Sequence, residues 1–165
     1  MGKRSNFLRR KNDDYPSPHT VVKPLLPFLD PETMFMEPCA GEGLLIHWLE
    51  REGHICVGAW DKEVDARTNQ YGLRPDVCFI TNPPWTRELL HPIIDNLRTQ
   101  APTWLLFDAD WMHTKQAAPY LPFCALIISV GRVKWIPDSP YVGKDNCCWY
   151  LFGTEQHGTE FIGQQ

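Results

Sequence analysis

Short apolar runs alternate with segments of helical spacing along most of the chain, and this alternation restricts the possible folds more than any other feature. The runs predicted to form buried strands are residues 34–36, 55–60, 77–81, 104–107 and 125–130. Strands that alternate with helices require right-handed crossovers, which give a mainly parallel sheet with helices on both faces. The pattern therefore predicts a doubly wound α/β fold.

Apolar residues recur at helical spacing between these runs. The predicted helices are residues 19–29, 43–50, 87–98 and 112–120. Pro24 and Pro27 weaken the first of them, because a proline inside a helix removes a backbone donor. Beyond the last apolar strand the pattern favours an antiparallel ribbon, whose arms are residues 132–136 and 147–152.

The length of 165 residues and the hydrophobic content of 43% allow one core and leave little room for a second. We expect a single domain over residues 15–165, preceded by a basic segment at residues 1–14. That segment has no apolar run behind its basic residues, so it is not typical of a secretory signal. No stretch of about 18 apolar residues occurs, so no membrane span is expected. These features predict a soluble, cytoplasmic protein.

Cysteines, histidines and charges exclude some further classes of protein. The six cysteines and six histidines show neither a CxxC pair nor metal-ligand spacing, so we expect free, mostly buried thiols and no metal. The net charge of −4 argues against a chain coated in positive charge. Five of the first eleven residues are basic, which is compatible with phosphate contacts to a nucleic acid or with a solvated, mobile terminus.

The loops that follow the first three predicted strands should open onto one crevice, because ligands bind beyond the carboxyl ends of the strands in such sheets. The first loop, residues 37–43, reads EPCAGEG. Gly41 and Gly43 allow a ligand to approach the backbone closely, and the following helix presents its N-terminal amides at the same place. The dinucleotide pattern GxGxxG is not met, because Ile46 occupies its last glycine position.

The second loop holds Asp61, 18 residues beyond Gly43. A carboxylate at this point can accept hydrogen bonds from both hydroxyls of a ribose. An acidic residue in the same place also suits a helix N-cap, so the position alone leaves both roles open.

The third loop, Asn82-Pro83-Pro84-Trp85, is the most specific signal in the sequence. Two consecutive prolines directly after a buried strand form a rigid turn that no folding requirement demands. The Asn82 side-chain oxygen and the Pro83 carbonyl can accept the two hydrogens of an exocyclic amine, and the Trp85 ring offers a stacking face for a planar base or amide. These four residues are the candidate catalytic residues.

The order EPCAGEG, an acidic residue after a strand, then TNPPW resembles the class I S-adenosylmethionine-dependent amino-methyltransferases. By motif the similarity is greatest to small phage-type DNA adenine-N6 methyltransferases, and it spans residues 15–152. The resemblance implies a Rossmann-like class I methyltransferase fold, S-adenosyl-L-methionine as cofactor, and a bacterial or phage-infected cell as the setting. The segment YPSP, residues 15–18, matches a family segment that lies against the methionine end of the cofactor. The implied cofactor-binding residues are Tyr15, Pro16, Glu37, Pro38, Cys39, Ala40, Gly41, Gly43, Asp61 and Asn82.

Two departures from the family pattern define a shortened version of the fold. Only 15 residues separate Asp61 from the strand that begins at Val77, too few for a helix, a further strand and a second crossover. The family's acidic residue for the cofactor's adenine ring therefore has no obvious counterpart, and Asp65, Asn69 and Gln70 are the candidates. No segment is large enough for a separate target-recognition domain, which predicts low sequence specificity or a recognition partner.

The predicted ribbon and its loop interleave basic with aromatic residues, a composition that suits phosphate contact and base stacking. The candidate nucleic-acid-binding residues are Arg132, Lys134, Trp135, Tyr141 and Lys144. A surface hairpin whose Trp135 packs onto the sheet is the alternative interpretation.

The leading functional hypothesis is methylation of adenine N6 in DNA, either in a duplex with base flipping or in a single strand. Methylation of an RNA base and N5-methylation of a protein glutamine are alternatives with the same chemistry. An inactive cofactor-binding partner of another methyltransferase is the alternative from a different class. Retention of Asn82 through Trp85 argues against it, because an inactive subunit has no need of the amine acceptors.

Overall fold

The computed structural model describes residues 16–138, 140, 142–156 and 158–164. Tyr15, Tyr141 and the basic segment at residues 1–14 therefore lie outside the described residues. The described part forms one sheet with two α-helices, α1 (Leu44–Arg51) and α2 (Arg87–Arg98). The strands are β1 (Met34–Glu37), β2 (Ile55–Ala59), β3 (Val77–Thr81), β4 (Thr103–Asp108), β5 (Cys124–Arg132), β6 (Asn146–Phe152) and β7 (Glu160–Ile162).

The strand order is β2-β1-β3-β4-β6-β5-β7. Strands β1 to β4 pair in parallel, β6 runs antiparallel to both of its neighbours, and β7 is parallel to β5. The carboxyl ends of β1 to β5 therefore meet at one edge of the sheet. This topology confirms the predicted doubly wound, mainly parallel α/β fold.

Apolar side chains cover both faces of the sheet. On β4, Leu105 and Phe107 belong to the cluster that α2 covers, whereas Trp104 and Leu106 belong to the cluster on the other face, with α1. Successive residues of a strand point to opposite faces, so a strand buried on both sides reads as a continuous apolar run. This explains why residues 104–107 contain no polar residue.

The predicted helix at residues 19–29 is wrong. The segment instead forms two 3-10 turns, His19–Val21 and Leu26–Phe28. Pro24 and Pro27 have no amide hydrogen and clash with the preceding turn, so a continuous α-helix is excluded here. Helical spacing nevertheless identified the buried residues, because Val22 and Leu25 are fully buried.

The predicted helix at residues 112–120 is also wrong, since that region consists of the 3-10 turns Ala109–His113 and Lys115–Ala117. The predicted ribbon is correct for its second arm only. Strand β6 pairs with β5 itself, which continues to Arg132, and residues 133–136 form no strand. The short strand β7 has no counterpart among the predicted elements.

No membrane-crossing helix is present within the described ranges, since none there is both long and apolar enough. All six cysteines are free thiols, as predicted, and Cys124, Cys147 and Cys148 are buried.

Strand β2 forms one edge of the sheet, since no described strand lies beyond it. Its side chains Ile55 and Val57 are 45% and 40% exposed. The register with β1 shifts at Val57, because Phe35 pairs with Cys56 and Met36 with Gly58. The ring of Trp60 folds back over Gly58, where a Cβ atom would lie 2.5 Å from the ring.

Side chains of α2 hold the shortened segment that follows β2. Asn96 Nδ2 donates to the carbonyls of Ala66 and Asn69 at 3.0 and 2.9 Å, and Asn96 Oδ1 accepts from Gln70 Nε2 at 3.1 Å. Gln100 adds bonds to the Asn69 carbonyl and the backbone of residue 71. Asn96 on α2 and Gln100 just beyond its end thus satisfy backbone groups of this segment.

Asn96→Ala should lower the free energy of unfolding by about 2 kcal/mol, because it removes three hydrogen bonds and leaves two half-buried carbonyls without these donors. Urea denaturation measures the change. Asp95→Ala, on the exposed side of the same helix, is the matched control and should cost less than about 0.5 kcal/mol. Equal losses in the two variants would contradict this role of Asn96.

Candidate active site

A cleft of about 390 Å³ opens at the carboxyl ends of β1, β2 and β3. The cleft brings together most of the predicted site residues from three separate loops. Those that line it are Pro16, Glu37, Pro38, Cys39, Ala40, Gly41, Asp61, Asn82 and Pro84. Gly43, Pro83 and Trp85 do not line the cleft but adjoin residues that do.

The first loop owes its shape to its glycines. Gly41 has φ 50° and Gly43 has φ 76°, values that residues with a Cβ rarely adopt. Gly43 precedes α1 and its carbonyl accepts from the amide of His47 at 3.0 Å, so the loop turns directly into the helix. The amide of Ala40 donates to the Trp60 carbonyl at 2.7 Å, which holds the first loop beside the second.

Glu37 is buried at the end of β1, with 1% of its surface exposed. Its Oε1 accepts from Thr81 Oγ1 at 2.9 Å, and the backbone of Asn82 also bonds to the carboxyl group. Its Oε2 has no hydrogen-bond partner although it is buried at the cleft. Burial raises the pKa of Glu37 to about 8, while these hydrogen bonds act in the opposite direction.

Cys39 lies in the same loop and lines the cleft. Burial, and secondly the negative charge of Glu37, raise the pKa of its thiol to about 12. Cys39 is therefore a neutral, unreactive wall residue.

Asn82 carries the side-chain amide of the third loop and is held from both sides. Its Nδ2 donates to Ser17 Oγ at 3.1 Å, and its Oδ1 accepts from Trp85 Nε1 at 3.2 Å. Trp85 Nε1 also donates to the carbonyl of Leu106 on β4 at 3.2 Å. The amide thus lies at the cleft wall in one defined orientation.

Trp85 is half-buried and packs against the clusters on both faces of the sheet. Its ring meets that of Trp135 edge to face, with centroids 5.7 Å apart. The contact brings the loop between β5 and β6 against the third loop. Trp135 therefore packs onto the sheet, as the alternative interpretation predicts, and at the same time adjoins the candidate catalytic residues.

Two of the other predicted nucleic-acid-binding residues lie in that loop. Lys134 and Lys144 are exposed, and Arg132 is exposed at the end of β5. A hydrogen bond from the amide of Gly143 to the carbonyl of Val133, at 2.8 Å, closes the loop. These cations therefore stand at the same edge of the sheet as the cleft.

The part of the cleft wall that follows Asp61 in the sequence includes one of the three residues predicted as candidates to bind the adenine ring of the cofactor. Asp65 lines the cleft, whereas Asn69 and Gln70 are bonded to α2 instead. Asp65 accepts from the Arg67 side chain at 2.7 Å, and its hydrogen bonds to Arg67 lower the pKa of Asp65 to about 2. Asp65 is therefore ionised at neutral pH.

Several residues of the cleft were not predicted from the sequence. They are Ser17, Glu42, Leu44, Leu45, Lys62, Val64, Ala66, Arg67, Leu89 and Ile93. Leu89 and Ile93 are spaced four apart on α2, so their helical spacing gave the only available signal, and it also fits a core position. Trp111, three residues beyond the end of β4, does not line the cleft: it is fully buried, and its Nε1 donates to His91 Nε2 at 3.0 Å.

No protein-family model matches the sequence, and no curated protein matches it. Among solved structures, the methyltransferase subunit of a type I restriction-modification system from Streptococcus thermophilus is similar with a TM-score of 0.57 and 9% identity, over 91% of this chain and 47% of that subunit. The 23S rRNA methyltransferase ErmE is similar with a TM-score of 0.55 and 13% identity, over 86% of this chain and 70% of that protein.

A dimethyladenosine transferase from Plasmodium falciparum is similar with a TM-score of 0.51 and 13% identity, over 85% of this chain and 62% of that protein. The chain thus spans about half the length of the first of these structures. These similarities and the strand order together show that the chain has the Rossmann-like methyltransferase fold of class I.

Glu37 should make stability depend on pH in a defined direction. Its pKa is about 8 in the folded chain against 4.5 when exposed, so the folded state holds this proton more tightly. The contribution of Glu37 to the free energy of unfolding is therefore largest below pH 4.5 and falls as the pH rises to about 8.

Glu37→Gln should reduce the fall in stability between about pH 5.5 and about pH 8, because glutamine does not titrate. Urea denaturation at both values gives the slope for each variant. The matched control is Glu50→Gln, an exposed position on α1, which should keep the original slope. The same slope in Glu37→Gln and the original chain would rule out the buried carboxyl as its source.

Proposed function

We propose that the chain is an S-adenosylmethionine-dependent methyltransferase that transfers a methyl group to the N6 amine of adenine in DNA. The observation that carries the proposal is the position of Asn82. Its amide stands at the wall of the cleft that the glycine loop and Asp61 also line, so an amine acceptor and the residues suited to the cofactor share one cavity.

The residues of the cleft fit the cofactor. The buried Oε2 of Glu37, which has no partner, can accept from an ammonium group once the carboxyl is ionised, which pairing with that cation favours, and Pro16 lies on the same cavity. Asp61 supplies a carboxylate for ribose hydroxyls at the next loop. Val64 and Ile93 provide apolar surface for an adenine ring, and Asp65 provides an acceptor for its amino group.

Methyl transfer from a sulfonium to an amine requires mainly that the protein hold the two reacting groups in position. When bound, the cofactor supplies an electrophilic methyl group on a sulfonium. Asn82 Oδ1 and the Pro83 carbonyl accept the two hydrogens of the target amine and orient its lone pair toward the cleft. The same oxygens would stabilise the positive charge that develops on the nitrogen as the sulfur–methyl bond breaks and a neutral thioether leaves, and the methylated amine would then lose one proton to water, so no strong base is required.

A nucleic-acid substrate is supported by the charges at this edge of the sheet. Arg132, Lys134 and Lys144 are exposed at the edge of the sheet where the third loop lies, and cations there suit contacts with phosphates. A base inside a duplex reaches Asn82 only if it is flipped out, at a cost of about a few kcal/mol that is smaller for a single strand. We therefore propose low sequence specificity or a preference for single strands.

RNA is the second candidate substrate, and it has support of its own. One of the similar structures is named as a 23S rRNA methyltransferase and another as a dimethyladenosine transferase, beside the restriction-modification subunit. N5-methylation of a glutamine has the same amine chemistry, but the exposed basic residues at this edge of the sheet favour a polyanion over a protein.

The substrate test offers radiolabelled S-adenosylmethionine with separate pools of unmethylated single-stranded DNA, duplex DNA, RNA and protein. Label should enter DNA and should be recovered as N6-methyladenine after digestion to nucleosides. Label in RNA alone would show that RNA, and not DNA, is the substrate. Label in protein would point to glutamine, and no label in any pool would support the inactive-partner alternative.

Two substitutions should separate transfer from cofactor binding. Asn82→Ala should lower kcat at least about 100-fold, because it removes an acceptor for the developing charge, and should leave donor affinity within about twofold. Asp61→Ala should weaken donor affinity about 10- to 100-fold, since it removes a charged acceptor. Calorimetry with S-adenosylhomocysteine measures affinity, and an equal loss of affinity in both variants would place Asn82 in the cofactor site alone.

A further inference from the structure

The Asn82 side chain differs from a carboxylate in one respect that matters for its proposed role. An amide has one oxygen, which accepts, and one NH2 group, which only donates, whereas the two oxygens of a carboxylate are equivalent. An amine hydrogen needs the oxygen. Rotation of the amide by half a turn would present donors to the substrate amine and repel it.

The structure fixes this orientation on the oxygen side through Trp85. An indole N–H can only donate, so the atom that faces Trp85 Nε1 at 3.2 Å must be the oxygen of Asn82. Trp85 is itself fixed to β4, because the same N–H donates to the carbonyl of Leu106. The oxygen has two lone pairs, so one remains for a hydrogen of the target amine.

Ser17 fixes the amide on its nitrogen side. Its hydroxyl accepts from Asn82 Nδ2 at 3.1 Å, and the side chain is only 5% exposed. The Ser17 carbonyl accepts from Trp48 Nε1 on α1 at 3.2 Å, which holds Ser17 against that helix. Both ends of the amide are thus tied to separate elements of the fold.

We propose that Trp85 and Ser17 are positioning residues that hold the Asn82 amide with its oxygen available to the target amine. The inference rests on the proposed function of the cleft. It gives the indole N–H of Trp85 a task that phenylalanine, which has no hydrogen-bond donor, cannot perform. The need arises because residue 82 is an asparagine; an aspartate has no orientation to hold.

The test is a double-mutant cycle that uses this difference. In the original chain, Trp85→Phe keeps an aromatic ring and removes the N–H, so kcat should fall about tenfold with little change in donor affinity. In the Asn82→Asp background, the same Trp85→Phe change should alter kcat less than about threefold, because either carboxylate oxygen can accept. Ser17→Ala should follow the same pattern.

The cycle also separates positioning from base stacking. A ring that acts only by stacking would tolerate Trp85→Phe in both backgrounds. If the Trp85 N–H only stabilised the fold, Trp85→Phe would lower kcat equally in the original chain and in the Asn82→Asp background. Either result would overturn the proposal, whereas a loss that depends on residue 82 supports it.

A second measurement needs no turnover and so separates this inference from the proposed function. In isotope-labelled protein, nuclear Overhauser effects from the Asn82 side-chain NH2 protons should be stronger to the Ser17 β-protons than to the indole N–H of Trp85. The reverse order would show the opposite amide orientation and overturn the inference. A chain that methylates nothing would refute the proposed function and leave this spectrum to decide the orientation.

Discussion

The buried hydrogen bond between Glu37 and Thr81 is the interaction on which the cleft depends. It joins the last residue of β1 to the last residue of β3, so the first and third loops leave the sheet side by side. Burying a carboxyl group costs free energy unless it is paired or protonated, and the raised pKa of Glu37 shows that this site favours the proton. The hydrogen bond between these two side chains therefore holds the glycine loop beside Asn82.

Helix α2 contributes both to the segment after β2 and to the cleft. Asn96 on the helix and Gln100 just beyond its end satisfy the backbone of the segment after β2, while Leu89 and Ile93 reach the cleft from the helix. The helix also begins directly after the third loop. A single element thus connects the wall proposed for the cofactor to the turn proposed for the amine.

Sequence patterns predicted the sheet well because its strands are buried on both faces and so stand out as apolar runs. They predicted the loops because Gly41, Gly43 and the two prolines have few uses other than a specific backbone shape. They predicted the wrong secondary structure at residues 19–29, where apolar residues recur at helical spacing but the backbone forms two 3-10 turns. They also gave no sign of β7, whose three residues are too few to show a period.

Side-chain contacts between distant segments could not be predicted at all. Ser17 reaches Asn82 across 65 positions, and Trp135 reaches Trp85 across 50, so no local pattern records either contact. The sequence predicts Asn82 as an acceptor, since that property belongs to the residue type. The orientation of its amide depends on Ser17 and Trp85, so it becomes visible only in the folded structure.

The shifted register at Val57 has a consequence for how the molecule behaves among its copies. A strand edge with exposed Ile55 and Val57 is a template on which another chain can pair and aggregate. The extra residue interrupts the regular ladder, and the Trp60 ring folded over Gly58 occupies space beside it. An intermolecular strand that pairs with this edge would therefore meet only a few consecutive matching backbone groups.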